Sequence, residues 1–167
     1  MRRLLTMGLL VAATSCAPTL VQMSLAPADV DLAGAMLGAG TGSIKGSALI
    51  RQRGGGVVTC AGNDVYLVPA TPSATSELRR VFGDDRGYVE RGGDAVIGGG
   101  KLVVAPQPNR QGVCNAQGFF TFANVRPGKW YLMTTVVWQV GEENQGGTML
   151  GAAVVAEGQG AEIVLSR

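Results

Sequence analysis

The sequence predicts an all-β domain, a sandwich of two sheets built from about seven short strands. The β-rich runs are short and are separated by glycine, proline and asparagine, and no amphipathic pattern extends beyond two helical turns. The 26 glycines among 167 residues suit many turns, and the 46% apolar content exceeds that of a disordered chain. The length suits one domain, and no stretch approaches the roughly 20 apolar residues of a membrane-spanning helix.

Six ranges carry the strand patterns: 43–51, 64–70, 119–125, 130–140, 149–156 and 161–165. In the third range, period-two alternation directs Phe120 and Phe122 to one side. In the fourth and longest range, it directs Trp130 and Trp138 to one face. We expect these four aromatic side chains to belong to the core. The alternative is that they line a ligand site.

Residues 1–15 have the pattern of a lipoprotein signal peptide. Arg2 and Arg3 form a short basic segment, an apolar run follows, and three small residues precede Cys16. The run 13–16 resembles a bacterial lipobox, which implies cleavage before Cys16 and attachment of lipid to its thiol. An ordinary secretory signal with a chance cysteine is the alternative.

Either signal takes the protein out of the cytoplasm. Ala17 follows the cysteine, at the position where aspartate would favour retention in the inner membrane. The resemblance to lipoproteins of two-membrane bacteria therefore implies a location in the cell envelope, at the outer membrane, with the leaflet left open. A cysteine with two or three acyl chains is a stable anchor, because each buried methylene contributes about 0.8 kcal/mol.

Residues 16–42 are predicted to be a flexible tether between this anchor and the domain. The segment is rich in small apolar residues, proline and glycine, and it has no sustained period of 2 or 3.6. A short helix at 30–37, or packing of that stretch on the domain, is the alternative.

The cysteines predict one disulfide bond. With Cys16 assigned to lipid, Cys60 and Cys114 remain as an even pair in a chain bound for an oxidising compartment. Two free thiols or a metal pair are the competing interpretations. Two cysteines without CxxC spacing make a poor metal site, so the disulfide is favoured.

Charge and composition exclude several classes of function. The chain has 14 basic and 12 acidic side chains, and loss of a signal containing Arg2 and Arg3 leaves 12 of each. This balance lacks the cationic surplus that nucleic-acid binding requires, so no nucleic-acid partner is expected. The absence of histidine excludes serine–histidine triads and histidine-ligated zinc. We expect no metal and no cofactor.

The stretch 115–130 contains a spaced pattern of glycine, phenylalanine, proline-glycine and tryptophan. The matching positions are Gly118, Phe120, Phe122, Val125, Pro127, Gly128 and Trp130. The pattern resembles the signature of carboxypeptidase regulatory-like domains, members of the transthyretin-like (prealbumin-like) sandwich group. The resemblance implies a strand-turn-strand unit whose phenylalanines fill the core, within a domain that spans 43–167.

A segment of about 43 residues, 71–113, separates the second predicted strand from this signature. Family connections at this place are far shorter, and so long a loop in a compact domain is usually functional or disordered. We expect a short helix at 76–82 and a hairpin of 95–97 against 102–104. The charged residues of this insert predicted to bind a partner are Arg79, Arg80, Asp84, Asp85, Arg86, Glu90 and Arg91.

Together these features predict a non-catalytic, lipid-anchored module of the cell envelope. It would engage a protein or glycan partner through the insert and neighbouring loops, since the catalytic residues of related sandwiches are missing. The alternative is a hydrolase, or an accessory subunit of an envelope enzyme. Its polar cluster would consist of Arg79, Arg80, Asp84, Asp85 and Glu90.

Overall fold

The computed structural model describes residues 20–21, 25–90, 102–103 and 105–167. Its helices are α1 (Pro27–Leu37) and α2 (Pro72–Phe82). Its strands are β1 (Leu20–Val21), β2 (Gly42–Arg51), β3 (Val57–Thr59), β4 (Asp64–Pro69), β5 (Gly87–Glu90), β6 (Leu102–Val103), β7 (Arg110–Val113), β8 (Phe119–Val125), β9 (Gly128–Val140), β10 (Glu143–Val155) and β11 (Gly160–Ser166). Neither helix is long and apolar enough to cross a membrane, within the residues the structure describes.

The strands form two main sheets in a sandwich-like arrangement, which confirms the predicted all-β class. The larger sheet has the order β5-β10-β9-β4-β7 and is antiparallel throughout. In the smaller sheet, β2 pairs in parallel with β11 along one edge. Its other edge pairs with β8 along the first half of β2 and with β3 along the second half. Strands β1 and β6 form a separate parallel pair of two residues each.

The core between the sheets contains most of the aromatic residues that the alternation assigns to it. Phe120 and Phe122 of β8 are buried and meet edge to face, with ring centroids 6.3 Å apart. Trp130 of β9 is fully buried, and its indole N–H donates a hydrogen bond to the carbonyl oxygen of Arg126 at 2.9 Å. Burying each of these side chains stabilises the fold by about 1.5–3 kcal/mol. The core prediction is confirmed for these three residues.

The opposite face of the larger sheet is covered by α2. Tyr131 and Met133 of β9 point away from the inter-sheet core and pack in a second apolar cluster with Ala74, Leu78 and Phe82 of the helix. Helix α2 spans three turns, so the prediction that no amphipathic helix exceeds two turns was wrong. The buried positions recur every four residues, and this spacing places them on one side of the helix.

Local capping explains where α2 begins and ends. The Thr71 hydroxyl accepts a hydrogen bond from the backbone N–H of Ala74 at 3.3 Å, and Pro72 occupies the first helical position. Gly83 ends the helix with a φ of +87°, a conformation that favours glycine. The predicted helix at 76–82 therefore exists but starts four residues earlier.

The rest of the predicted insert contributes strands to the larger sheet. β5 pairs with β10 at one edge, and β7 pairs with β4 at the other. Of the predicted hairpin, residues 95–97 lie outside the described residues, and Leu102–Val103 pairs with Leu20–Val21. Much of 71–113 is therefore part of the sandwich. Its helix α2 covers the second apolar face of the larger sheet, and its strands β5 and β7 pair with the strands at the two edges.

Helix α1 occupies part of the segment whose composition predicts a tether. The Asp29 carboxylate is buried and accepts a hydrogen bond from the backbone N–H of Ser73 at 2.6 Å, in the first turn of α2. The Ser73 hydroxyl accepts one from Ala26 N–H at 3.1 Å. Through its hydroxyl and its backbone amide, Ser73 holds the pKa of Asp29 below its usual value. The structure therefore differs from the predicted tether here, and α1 resembles the alternative of a short helix packed on the domain.

The predicted disulfide between Cys60 and Cys114 is confirmed. Their Cα atoms lie 5.8 Å apart, and the bond closes a loop with a sequence separation of 54. Cys60 follows β3 and Cys114 follows β7, so the bridge joins the turn before β4 to the strand that pairs with β4. It closes the base of the segment that contains α2.

Candidate functional site

A cleft of about 670 Å³ lies at one end of the sandwich, where strand ends from both sheets meet. It is lined by Ile50 to Gly54 at the end of β2 and in the turn after it, by Tyr88 and Glu90 of β5, by Trp138 and Val140 of β9, by Asn144 to Gly146 of β10, and by Arg167 after β11. A concave volume of several hundred Å³ with a mixed apolar and polar lining is typical of a small-molecule site.

Trp138 lies where the inter-sheet core gives way to the cleft. Along the same face of β9, Leu132 and Val136 are fully buried, Trp138 is half-buried, and Val140 is 51% exposed. The indole therefore packs against the core on one side and remains accessible on the other. An aromatic ring in this position offers an apolar face to a ligand.

Tyr88 supplies the second aromatic ring of the cleft. Its hydroxyl is buried beside the Arg167 side chain, and burial raises its pKa above the usual value. The Arg167 guanidinium lies over the ring, 4.3 Å from its centroid, and forms an ion pair with Glu90 at 3.5 Å. Arg167 therefore covers the Tyr88 ring in the free protein, and a ligand would reach this ring once the exposed Arg167 side chain moves.

Glycines allow the close strand contacts on which the cleft is built. Gly146 has a φ of +106°, and a Cβ there would lie 2.1 Å from the carbonyl oxygen of Val136. A Cβ at Gly147 would lie 2.2 Å from the carbonyl oxygen of Val89. Both distances are far shorter than van der Waals contact, so larger residues are excluded at these two positions.

The turn after β2 has a defined backbone conformation. Gln52 N–H donates to the carbonyl oxygen of Gly56 at 2.8 Å, and Gly55 N–H donates to that of Gln52 at 2.9 Å. Gly55 has a φ of +87°, as such a turn requires. These bonds position the backbone that carries Arg53.

The charged residues predicted as a partner-binding set do not form one site. Asp85 accepts hydrogen bonds from Arg79 Nε at 2.8 Å, from the Tyr131 hydroxyl at 2.9 Å and from Lys129 Nζ. Arg79 and then Lys129 hold the pKa of Asp85 well below its usual range. Because both carboxylate oxygens already have partners, this cluster joins α2 to β9 and has little capacity left for a ligand.

The other members of that set are dispersed. Arg80 pairs with Glu77 one turn away on α2, at 2.7 Å. The Asp84 carboxylate accepts a hydrogen bond from the backbone N–H of Asp85 at 2.7 Å, and Arg86 is exposed. Glu90 alone belongs to the cleft. Arg91, and Cys16, which is predicted to carry lipid, lie outside the described residues.

Sequence reasoning missed most of the cleft. Of the four aromatic residues that the alternative ligand-site interpretation grouped together, only Trp138 lines it. The unpredicted members that matter for its chemistry are Arg51, Arg53, Tyr88, Asn144, Gln145 and Arg167. The signal available in the sequence was Trp138, which lies near the end of the long apolar face of the predicted strand 130–140. The described residues contain no group of three or more acidic or cysteine side chains suited to hold a metal.

A second, shallower groove of about 540 Å³ lies on the outer face of the smaller sheet. It includes Phe119, which is 56% exposed, together with Lys45 and Glu162. Lys45 and Glu162 are register partners on β2 and β11, and the groove has a single exposed aromatic ring. A substitution in this groove can therefore serve as a control for substitutions in the cleft.

No known family model and no curated protein matches the chain. A crystal structure from Pseudomonas aeruginosa, described as that of a "putative carbohydrate binding protein", is similar to it, with a TM-score of 0.64 and 22% sequence identity. The match covers 84% of this chain and 97% of that chain. At this identity the likeness establishes a shared fold.

Proposed function

We propose that the protein is a non-catalytic binding module that binds a glycan in the cleft at the end of its sandwich. The observation that carries this proposal is that two aromatic rings line the cleft, the half-buried Trp138 and the Arg167-covered Tyr88, together with planar polar side chains. The description of the similar Pseudomonas aeruginosa protein as a carbohydrate binder supports the same ligand class.

Saccharide chemistry matches this lining. The C–H faces of a pyranose ring are apolar and stack on aromatic side chains, while its hydroxyls need donors and acceptors in the ring plane. Trp138 supplies one stacking face, and Tyr88 supplies a second once Arg167 moves off its ring. Gln52, Asn144 and Gln145 supply both donors and acceptors.

The acidic groups support a binding role rather than hydrolysis. Glu90, which lines the cleft, is paired with Arg167. The carboxylate of Asp85 is saturated by Arg79, Lys129 and Tyr131, so it offers no free acid or base. Substrate turnover that is abolished by Asp84→Asn would favour the alternative of a hydrolase.

We further propose that the module works in the cell envelope, held at the membrane by lipid on Cys16, and that it belongs with the carboxypeptidase regulatory-like domains. The basis is the signal pattern of 1–16 and the signature within 115–130. The intact, non-reduced mass of the protein extracted from its native membrane tests the anchor. We expect residues 16–167 plus acyl groups, minus two protons for the disulfide. A mass without acyl groups would contradict the anchor and leave the glycan proposal standing.

The glycan proposal is tested with the disulfide-intact protein on an array of defined neutral and acidic tri- to hexasaccharides, followed by titration calorimetry. We expect at least one saccharide to bind, and Trp138→Ala to weaken that binding at least tenfold. Tyr88→Phe is the second variant. This change removes only the hydroxyl and keeps the ring, so it separates the contribution of the hydroxyl from that of stacking. We expect this change to weaken binding by about three- to tenfold.

Phe119→Ala is the matched control, because it removes an exposed aromatic ring from the outer groove. Its affinity is expected to equal that of the wild type. Absence of binding across the array would overturn the proposal. Binding that survives Trp138→Ala and is lost in Phe119→Ala would move the site to the outer face of the smaller sheet.

A further inference from the structure

The cleft is more cationic than the chain as a whole. Its lining contains three arginines, Arg51, Arg53 and Arg167, and one acid, Glu90. Without the residues of the predicted signal, the chain has equal numbers of basic and acidic side chains. The excess of positive charge in the cleft is therefore a local arrangement.

The three arginines differ in how they are used. Arg167 is engaged, since it stacks on Tyr88 and pairs with Glu90. Arg51 and Arg53 have no acidic partner within 4.0 Å among the residues that the structure describes, and both are exposed. Two guanidinium groups beside two aromatic rings thus remain free to meet a ligand.

The two acids that precede the cleft residues Asn144 and Gln145 in sequence are not part of the cleft lining. Glu142 lies in the turn between β9 and β10, Glu143 is the first residue of β10, and both are exposed. The turn hydrogen bonds at Gln52 and Gly55 also limit the positions that Arg53 can reach. The turn therefore fixes where the backbone of Arg53 starts, while its exposed side chain stays free to reach a ligand.

We propose that the cleft selects an acidic saccharide, with a planar or tetrahedral anionic group held by Arg51 and Arg53 while the sugar ring rests on Trp138 and Tyr88. This inference rests on the proposed glycan-binding function and specifies its ligand class. Guanidinium groups bind carboxylates and phosphates with two parallel hydrogen bonds, which gives both affinity and geometric selection. A carboxylate and a phosphate share this chemistry, so both are tested.

The test compares an acidic saccharide with its uncharged counterpart in each of two pairs. Trigalacturonate is paired with its methyl ester, and 6-phosphorylated maltotriose is paired with maltotriose. For at least one pair, we expect the acidic member to bind at least tenfold more tightly at low ionic strength. We expect the preference to shrink as salt rises from 20 to 500 mM, since exposed charges are screened. The pair that shows the preference identifies the anionic group.

The double variant Arg51→Gln/Arg53→Gln assigns the preference to these residues. It is expected to bind both members of the preferred pair with nearly equal affinity, at the level of the neutral member in the wild type. Arg80→Gln is the matched control, because it removes the same charge from the exposed surface of α2. The thermal midpoint of each variant establishes that it is folded.

The outcomes separate the two proposals. Equal affinity for acidic and neutral members, lost in Trp138→Ala, would overturn the acidic preference and retain the glycan site. Failure of every saccharide to bind would overturn both. A preference that persists in the double arginine variant would overturn the assignment to Arg51 and Arg53.

Discussion

Two polar regions of this molecule have similar side chains but differ in how many of those side chains are paired. At the junction of α2 and β9, Asp85 has protein donors on both of its oxygens. In the cleft, Arg51 and Arg53 have no acidic partner within 4.0 Å among the described residues. Charged residues mark a binding site only when their hydrogen-bonding capacity is still open, and this capacity depends on the packing of distant segments.

We expect the region under α2 to contribute to the stability of the fold and not to ligand binding. Leu78 is fully buried between the helix and the larger sheet, so Leu78→Ala should lower the free energy of unfolding by about 3 kcal/mol. Urea denaturation measures this loss. Saccharide affinity of the folded variant should stay within twofold of the wild type. A stable variant that no longer binds saccharide would place the helix in the binding site.

Changes in the backbone of the cleft are expected to affect both properties. Gly146→Ala places a Cβ against the carbonyl oxygen of Val136 at a φ that other residues rarely adopt, at a cost of about 2 kcal/mol. Saccharide affinity should fall at least tenfold, because the displaced strand end carries Asn144 and Gln145. Gly34→Ala is the control, since a Cβ there meets open space. Equal behaviour of the two variants would contradict the described cleft geometry.

The ion cluster at Asp85 should be visible in the pH dependence of stability. Asp85→Asn is expected to lower the free energy of unfolding by about 1 kcal/mol at pH 7, discounted for partial exposure. The folded-state pKa of Asp85 is depressed, so its contribution is complete above the unfolded-state value of about 3.9 and is lost as pH falls further. Denaturation at pH 7 and pH 3 measures this difference. A difference between wild type and variant that does not shrink at pH 3 would argue against the ion cluster.

The smallest effect is expected at α1. Asp29→Asn weakens the hydrogen bonds to Ser73, so amide hydrogen exchange across α1 should accelerate while exchange in β9 stays slow. Asp31→Asn, on the exposed side of the same helix, is the control and should leave exchange unchanged. Unchanged exchange in both variants would show that Asp29 does not hold the helix on the domain.

The parts of the fold that sequence reasoning predicted correctly depend on local patterns. Period-two alternation identifies β8 and β9, and it assigns Phe120, Phe122 and Trp130 to the core. Once Cys16 is assigned to lipid, the even number of remaining cysteines identifies the disulfide between Cys60 and Cys114. In each case the signal lies in neighbouring residues or in a count, so no knowledge of distant contacts is required.

The parts that sequence reasoning missed depend on which elements meet. The continuous buried run from Trp130 to Thr134 shows that β9 is covered on both faces. The face that carries Tyr131 and Met133 packs against α2, which forms within the segment predicted to be a long loop. Similarly, the Asp29 carboxylate accepts a hydrogen bond from the first turn of α2 only because folding brings Ser73 to it from 44 residues away. Composition alone cannot supply such partners.

The amino-acid sequence by itself determined the all-β class, most core aromatics and the disulfide, because alternation, turn residues and cysteine parity act over short range. Only the tertiary structure decided which polar groups are saturated and which are open. It paired Asp85 with Arg79 and Lys129, and it gathered Trp138, Tyr88 and the arginines at one end of the sandwich from five separate strands and turns. The physical reason is that the hydrogen-bonding state of a side chain depends on neighbours that the chain brings together only when it folds.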